Sequence, residues 1–425
     1  MQKSKANWIY LVLLILSGEA IFVLPFVLQR VFRSTVLEVF EISNTQLGLC
    51  FTFYGITAML SYFVGGPIAD RFEPRKLIAW SLWTTALGGF IYALYPGFYM
   101  LQLLYGYWGF TTILLFWSPM IKATRIWGGA SDQGKAFGIL DGGRGLVGAL
   151  FGVFAVALFA NSLLENVDIN LEERREAFKW AIYGSTVSIA VIGILVWLFL
   201  KSEEAPSEKV DHLSVKQVKE VIKLPAVWLL MVIILCAYMG YKTTDVVSLY
   251  AREVLHYDEI NSAHIGTFLL FMRPLAGVLI GFAADRSKTT LWLFISFAIM
   301  FVGSLWFVSG FGFELLPVFL VSIFTISGGV YAARALYFAV MREGRIPLYL
   351  TGTAVGVVSV VGFTPDVFAG VIIGFLLDTN PGELGHQHVF LLLAAFSALG
   401  TFCAWRYHKL APSDEACKKA DNLAK

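Results

Sequence analysis

Long apolar stretches that carry almost no charge constrain this chain more than any other feature of its sequence. A helix needs roughly 20 apolar residues to cross the hydrocarbon core of a bilayer, and lipid offers no hydrogen-bond partner to an open backbone. Twelve segments of this length follow one another, without the apolar-polar alternation that a β-barrel needs. They predict an all-α protein with 12 transmembrane helices, near residues 8–29, 45–68, 77–96, 98–121, 136–160, 177–200, 225–249, 261–283, 289–309, 314–340, 349–376 and 388–408.

The low charge content agrees with a membrane location. Charged residues make up 15% of the chain and hydrophobic residues 57%, whereas about a quarter of a soluble domain is charged. The formal net charge of +2 gives no bulk attraction for nucleic acid. The sequence shows no nucleophile–base pattern and no phosphate-binding loop, and His386 and His388 have no further metal ligand close by. We therefore expect no enzymatic activity, no cofactor, no bound metal and no nucleic-acid partner.

The basic residues of the connecting segments predict the orientation of the chain. Lysine and arginine are enriched in the cytoplasmic loops of membrane proteins. When the N-terminus is placed inside, 22 of the 32 basic residues fall in cytoplasmic segments and 6 fall in outer loops. This bias predicts that both termini are cytoplasmic.

Two short sequences recur at nearly the same interval. The sequence GPIADR at 66–71 is repeated as GFAADR at 281–286, and GKAFG at 134–138 as GTAVG at 352–356. The repeat predicts two six-helix halves of the same topology, an architecture in which transporters build a solute site near the middle of the membrane. The predicted parts are an N-terminal half at 1–200, a cytoplasmic linker at 201–224, a C-terminal half at 225–410 and a cytoplasmic tail at 411–425.

Twelve predicted helices in two halves, with Gly-x-x-x-Asp-Arg after helices two and eight, resemble the major facilitator superfamily. Residues 66–76, GPIADRFEPRK, look like the signature loop of that family, although the usual second glycine is absent near Glu73. The resemblance implies that the loop aspartate caps the eleventh helix and helps to latch an inner gate, because a helix N-terminus stabilises a carboxylate. The gate residues implied in this way are Asp70, Arg71, Arg75, Asp285 and Arg286.

A finer resemblance lies in the fourth, fifth and eleventh predicted helices. The sequences WSPMIK at 117–122 and GILDGGRGLVGAL at 138–150, with residues 352–378, look like the organophosphate:phosphate antiporter and anion:cation symporter branch of bacterial permeases. This resemblance implies transport of small organic anions across a bacterial inner membrane. Phosphate-ester antiporters of this branch use paired arginines on helices one and seven. The present chain offers Glu19 and Lys242 there, a departure that argues against phosphate-ester exchange.

Ionisable residues inside the predicted spans narrow the search for a mechanism. Each one costs about 2.5–3.5 kcal/mol on insertion scales, so such residues normally face the interior of the bundle and mark function. Four acids and four bases balance one another, and mutual pairing could neutralise the interior. These eight residues are Glu19, Asp141, Arg144, Lys242, Asp245, Arg273, Arg334 and Asp366.

Two acid–base pairs occur at a spacing of three residues. Asp141 precedes Arg144 on helix five, and Asp245 follows Lys242 on helix seven, so each pair shares a helix face. Each pair is either a local ion pair or part of a site whose base holds an anionic solute and whose acid keeps the empty site neutral. The residues predicted to bind the solute are Arg144, Lys242, Arg273, Asp141, Asp245 and Tyr241.

Glu19 is the residue predicted to carry a proton. It lies in the middle of the first helix between Gly18 and Ala20, with no basic residue one turn away. A carboxyl group buried in an apolar environment can exchange protons near neutral pH, as proton coupling requires. Binding of a solute hydroxyl, or pairing with a base of helix five or seven, are the alternatives. Asp366 is the second candidate for proton coupling.

The predicted function is secondary active transport of a small organic anion or sugar-derived solute, coupled to protons and working by alternating access. A proton-independent anion exchanger and a neutral sugar:proton symporter stay open as alternatives. A sensor built on the same helices would need a soluble domain or a long tail, which the short predicted linker and tail do not supply. The expected partners are the solute, protons and the lipid bilayer, and the protein is expected to be a monomer.

Overall fold

The computed structural model describes residues 8–128, 133–163, 170–200, 215–341, 343–347 and 350–410. Every regular element within these ranges is helical, which confirms the all-α prediction. In these described ranges, eight candidate spans are long and apolar enough to cross a membrane, and a ninth results when the bent pair Trp8–Ala20 and Val23–Val31 counts as one. The chain is therefore a multi-pass membrane protein, and the total of 12 spans stays a prediction.

In the described part of the chain, nine α-helices precede the predicted linker at 201–224, one lies within it and eight follow it. The first nine are α1 Trp8–Ala20, α2 Leu28–Val31, α3 Arg33–Val39, α4 Asn44–Arg71, α5 Pro74–Tyr92, α6 Phe98–Thr112, α7 Ser118–Gly128, α8 Gln133–Ser162 and α9 Leu171–Phe199. The others are α10 Val215–Ile222, α11 Pro225–Thr243, α12 Val247–Glu253, α13 Glu259–Asp285, α14 Thr289–Ser309, α15 Leu316–Leu336, α16 Thr351–Gly362, α17 Pro365–Thr379 and α18 Glu383–Leu410.

The first predicted span is broken, whereas the sequence suggested one continuous helix. A π-helical turn at Val23–Val27 follows α1, and the two parts of the span meet at an angle of 42°. Phe22 N donates to Glu19 O at 2.9 Å, so the backbone departs from the regular α-helical pattern directly after Glu19. Pro25 lies within the π-helical turn and has no N–H to donate, and π-turns and prolines are the usual causes of a sharp kink.

Three other predicted spans are also interrupted. A π-helical turn at Ile113–Trp117 separates α6 from α7, and a 3₁₀ turn at Thr244–Val246 separates α11 from α12. The eleventh predicted span divides into α16 and α17 just before Pro365, because the residue before a proline disfavours the helical conformation. Functional helices of transporters are often discontinuous in this way, since the breaks offer backbone groups to a solute or ion.

Packing groups the chain into two units. The first contains Met1–Glu208, Thr244–Pro274 and Asp366–Gly385, and the second contains Lys209–Thr243, Leu275–Pro365 and His386–Lys425. These units do not follow the predicted halves, because α12, the first part of α13, and α17 pack with the N-terminal helices. The division into halves at 1–200 and 225–410 stays a prediction from the sequence repeat.

Specific contacts attach α17 to the first unit. Asp378 near the end of α17 accepts hydrogen bonds from the backbone N–H of Asn44 at 3.0 Å and of Thr45 at 2.7 Å, where α4 begins. Further along the same helices, Thr52 Oγ1 donates to Val367 O at 2.6 Å. The carboxylate supplies partners to N–H groups that a helix start cannot satisfy internally, so it fixes the two helix ends together.

In the second unit, α14 and α15 pack closely through glycine. A Cβ atom added at Gly329 would lie 2.6 Å from Met300 N, so only glycine allows this approach of the two backbones. Glu343 accepts from the backbone N–H of Thr289 at 2.8 Å and of Thr290 at 3.1 Å, and thereby caps the start of α14.

Candidate functional site

Glu19 lies at the end of α1, where the span breaks, and its side chain is 8% exposed. Gly148 of α8 faces it, and a Cβ atom added there would lie 3.0 Å from Glu19 Oε1. Glycine at this position therefore leaves the space that the carboxylate occupies. The break of the span and this close approach of α8 together hold an acidic side chain inside the first unit.

Arg144 of α8 binds both the carboxylate and the backbone at this break. Its Nε lies 3.4 Å from Glu19 Oε2 and donates to Gly18 O at 2.9 Å. Because Phe22 N donates to Glu19 O instead of Gly18 O, the broken helix leaves the Gly18 carbonyl for the arginine. The Arg144 guanidinium carbon lies 5.6 Å from the ring centroids of Phe22 and Trp117, within reach of cation–π attraction.

Arg273 of α13 connects the two acidic residues. Its Nη1 lies 3.4 Å from Glu19 Oε2, and its Nη2 donates to Asp141 Oδ1 at 2.7 Å. Gly145 permits this approach, because a Cβ atom there would lie 3.2 Å from Arg273 Cγ. The Arg273 side chain is 13% exposed and that of Asp141 is 61% exposed, so the Asp141 end of the group is accessible from outside the packed core.

These four residues, Glu19, Asp141, Arg144 and Arg273, form one group that we call the four-charge cluster. Its members come from three helices and contribute two negative and two positive charges in their ordinary ionisation states. A balanced, mutually bonded group is the form in which charges are tolerated inside a membrane protein. Guanidinium groups hydrogen-bond to carboxylate or phosphate oxygens in the plane of their N–H donors, so both arginines of the cluster have the chemistry that oxyanion binding requires.

A second cationic group lies in the other unit. Arg334 of α15 stacks on Tyr241, with its guanidinium carbon 3.8 Å from the ring centroid, and lies 5.6 Å from the ring of Tyr238. Lys242 Nζ also lies 5.6 Å from the Tyr238 ring. Two cations therefore share one aromatic neighbour, Tyr238, on α11. Phe363, which directly follows α16, also packs against Tyr238, with their ring centroids 5.0 Å apart. We call this set the tyrosine–cation group.

Asp245 and Asp366 occupy helix breaks. Asp245, in the 3₁₀ turn after α11, pairs with Arg30 of α2, with Nε and Oδ1 2.5 Å apart and both side chains buried. Ser248 Oγ donates to Arg30 O at 2.7 Å and supports the same contact. Asp366 is partly buried in the first turn of α17. The pairing with Arg30 favours a structural role for Asp245, which the sequence had suggested as a solute ligand.

Removal of one partner of the Arg30–Asp245 pair is expected to destabilise the protein strongly. Asp245→Asn removes the carboxylate charge that is paired with the buried Arg30 guanidinium, and breaking a buried pair of this kind costs about 3–5 kcal/mol. The double variant Arg30→Met, Asp245→Asn removes both charges and should recover most of the loss. Thermal unfolding in detergent measures both. Unfolding temperatures equal to that of the parent protein for Asp245→Asn would contradict a structural role.

The predicted gate residues lie near the ends of α4, α5 and α13. The side chains of Asp70 and Asp285 lie outside the described part of the structure. Arg71 and Arg286 are exposed, and Arg75 pairs with Glu73 at 3.3 Å. Their role as a latch stays an expectation from the family resemblance.

Sequence reasoning missed several residues that shape the cluster. Phe22 and Trp117 provide the aromatic neighbours of Arg144, and Gly145 and Gly148 admit the side chains that face α8. Arg30 is one of the six basic residues that the predicted orientation assigns to outer loops, but its side chain is buried against Asp245. The sequence did contain a signal for this close packing. Gly145 and Gly148 follow Arg144 by one and four residues, and small residues mark close helix contacts in membranes.

Comparison with known proteins decides the family. The family model of the Major Facilitator Superfamily matches residues 10–369. The chain belongs to the Major Facilitator Superfamily. As a member of this transporter family it is not an enzyme, and it is a membrane transporter built on the fold that its motifs suggested.

Two curated relatives come from Escherichia coli strain K12. The chain is 27% identical to the inner membrane protein YqcE over 423 residues, with 97% of both chains covered. It is 26% identical to the inner membrane protein YihN over 413 residues, with 93% of this chain and 94% of the relative covered. These matches support a multi-pass membrane protein over the whole described length.

Solved structures share the fold at low sequence identity. A bacterial homologue of the human lysosomal transporter Spinster, inward-facing and unoccupied, matches with a TM-score of 0.72 and 14% identity, covering 97% of this chain and all of the other. The nucleoside transporter NupG matches with a TM-score of 0.69 and 15% identity, covering 94% and 99%. At this identity the likeness shows the fold and carries no conclusion about the solute.

Proposed function

We propose that this protein couples the transport of a small organic anion to protons, and that the four-charge cluster binds the anion. The observation that carries the proposal is the position of Glu19 Oε2, which lies 3.4 Å from a nitrogen of both Arg144 and Arg273. A single carboxylate thus occupies the place between two guanidinium groups that a solute carboxylate or phosphate could take.

Competition between Glu19 and the solute supplies the coupling. An entering anion takes over the arginine contacts and displaces the Glu19 carboxylate. A carboxylate without its counter-charges in a low-dielectric environment is costly, and proton uptake removes that cost. The negative charge of the solute and the positive charge of the proton then enter together, so that the charge of the cluster does not change during transport.

Other residues have supporting roles in the proposed cycle. Asp141 balances Arg273 at the exposed end of the cluster, where the solute arrives. Lys242 and Tyr241, in the tyrosine–cation group, are proposed to contact the solute as well, and Asp366 is a second proton-binding candidate. The gate function of Asp70, Arg71, Arg75, Asp285 and Arg286 belongs to the same proposal.

The proposed topology completes this function. We propose 12 spans in two halves with both termini in the cytoplasm of a bacterium, as the distribution of basic residues suggests. Accessibility labelling of single cysteines at Glu41 and at Arg345 tests the orientation. A cysteine at position 41 should react with a membrane-impermeant thiol reagent added to intact cells. A cysteine at position 345 should react only after the membrane is opened.

A stabilisation screen with solutes of different charge tests the proposed substrate class. We expect sugar acids, other carboxylates or sugar phosphates to raise the unfolding temperature of the purified protein, because a ligand at about 100 times its dissociation constant stabilises by about 2.7 kcal/mol. Uncharged sugars and nucleosides serve as matched neutral solutes, since NupG is a nucleoside transporter of the same fold. Stabilisation by a neutral solute alone would contradict an anion site and favour neutral sugar:proton symport.

A further inference from the structure

A basic cavity lies at the ends of two membrane-spanning helices in the second unit. Its volume is about 570 Å³, and its lining includes the start of α11 and the end of α18. The cationic residues of the lining are Lys223, Arg406 and Lys409, and the apolar ones include Trp228, Leu229 and Leu410. This cavity contains none of the residues of the proposed transport mechanism.

The lining combines cations with exposed apolar surface. Lys223, Arg406 and Lys409 have no ion pair within the part of the chain that the structure describes, and Lys409 Nζ lies 3.7 Å from the ring centroid of Trp405. Trp228 is 55% exposed and Leu410 is 44% exposed beside these cations. A ligand that fits this cavity therefore carries negative charge at one end and hydrocarbon at the other.

The position of the cavity matches a membrane surface. The candidate spans Pro225–Glu253 and Glu383–Leu410 begin and end there, so the cations lie where hydrocarbon gives way to headgroups. Trp228 Nε1 donates to Ile222 O at 2.8 Å, which orients the indole at that boundary as interfacial tryptophans are. In the proposed orientation this end is cytoplasmic, the leaflet whose anionic lipids attract basic pockets between helices.

We propose that this cavity binds an anionic glycerophospholipid. The phosphate groups contact Lys223, Arg406 and Lys409, and an acyl chain runs along the exposed apolar surface of Trp228 and Leu410. Three cations in one place match the two phosphates of a cardiolipin-type headgroup, so cardiolipin is the probe that should bind most tightly. The lipid would fix the ends of α11 and α18 to each other from the membrane side.

Native mass spectrometry of the full-length protein in detergent tests this site. Cardiolipin should bind to the parent protein at low micromolar addition, whereas phosphatidylcholine, which is zwitterionic, should not compete. The pocket variant Lys223→Gln, Arg406→Gln should bind cardiolipin roughly 10- to 30-fold more weakly, because each basic residue near an anionic surface contributes about 1 kcal/mol. The matched variant Lys76→Gln, Arg345→Gln also removes one lysine and one arginine from the proposed cytoplasmic side, and it should change the affinity less than about twofold.

Three outcomes would overturn the proposal. Equal weakening of cardiolipin binding in both variants would mean that the lipid is attracted by general surface charge and not by a specific site. Full competition by inorganic phosphate at the same phosphate concentration would mean a site for a free anion. Unchanged cardiolipin binding in the pocket variant would place the lipid elsewhere. Circular dichroism and gel filtration check that both variants keep the parent fold, and the single variant Arg406→Gln, at an exposed position, provides a milder second measurement.

Discussion

Glu19→Gln is expected to abolish proton-driven accumulation of the solute while solute exchange continues. A one-unit pH gradient corresponds to about 1.4 kcal/mol per proton, or about tenfold accumulation for a 1:1 symporter. Glutamine keeps the size and hydrogen-bonding capacity of the side chain but cannot carry the proton. The accumulation ratio in proteoliposomes should therefore fall to about one, and counterflow should persist because the arginines still bind the anion.

A second expected result belongs to the same variant. Without the Glu19 carboxylate, Arg144 and Arg273 share only Asp141 among the acids of the four-charge cluster, so the cluster carries an excess positive charge. The anionic solute should then stabilise Glu19→Gln against heat more than it stabilises the parent protein. Glu172→Gln is the matched control, because the Glu172 side chain is 83% exposed and lies far along the chain from the cluster. Undiminished accumulation in Glu19→Gln would remove Glu19 from the coupling mechanism and leave proton-independent exchange as the better proposal.

Arg273→Ala is expected to lower the initial rate of solute counterflow by about 100-fold or more. Arg273 contacts both acids of the cluster through different nitrogens, at 3.4 Å and 2.7 Å. Truncation of one partner in a buried, hydrogen-bonded charge group costs about 2–5 kcal/mol, and about 2.7 kcal/mol corresponds to a 100-fold effect. Arg273→Lys should recover only part of the rate, because a lysine cannot make two separated, planar contacts.

A charge-balanced variant separates transport from folding. Arg273→Met together with Asp141→Asn removes one positive and one negative charge, so we expect an unfolding temperature near that of the parent protein and a loss of transport as large as that of Arg273→Ala. Arg252→Ala is the matched arginine control, because Arg252 bonds to Tyr257 O at 3.0 Å outside the cluster. Parent-like transport in the charge-balanced variant would show that Arg273 stabilises the bundle without binding the solute.

Much of the fold could be predicted from the sequence, because lipid permits few backbone arrangements and the apolar runs reveal them directly. The interruptions could not be predicted equally well. The proline at 365 signalled the division of α16 from α17, and Pro25 was an equivalent signal for a break after Glu19, but a proline does not by itself specify a π-helical turn. Hydropathy reports only the apolar content of a segment and is the same for a straight and a broken helix.

The members of the candidate site were found by counting buried charges, but their partners were not. Spacing along one helix suggested pairs within α8 and at the end of α11. The structure brings Asp141 to Arg273 and Asp245 to Arg30, 132 and 215 residues apart in sequence. Residues three apart share a helix face, but that face also contacts a neighbouring helix. Which charges the neighbouring helix presents depends on how the helices pack, and spacing along one helix does not show this.

The hydrogen bond from Arg144 Nε to the Gly18 carbonyl has a consequence for the order of events. The backbone holds this guanidinium in place whether or not the adjacent carboxylate is ionised. In the proposed mechanism Arg144 therefore keeps its position throughout the cycle, while the Glu19 side chain moves when the anion arrives. The broken helix, which leaves one carbonyl group to Arg144, would thus assign anion binding and proton binding to two different side chains.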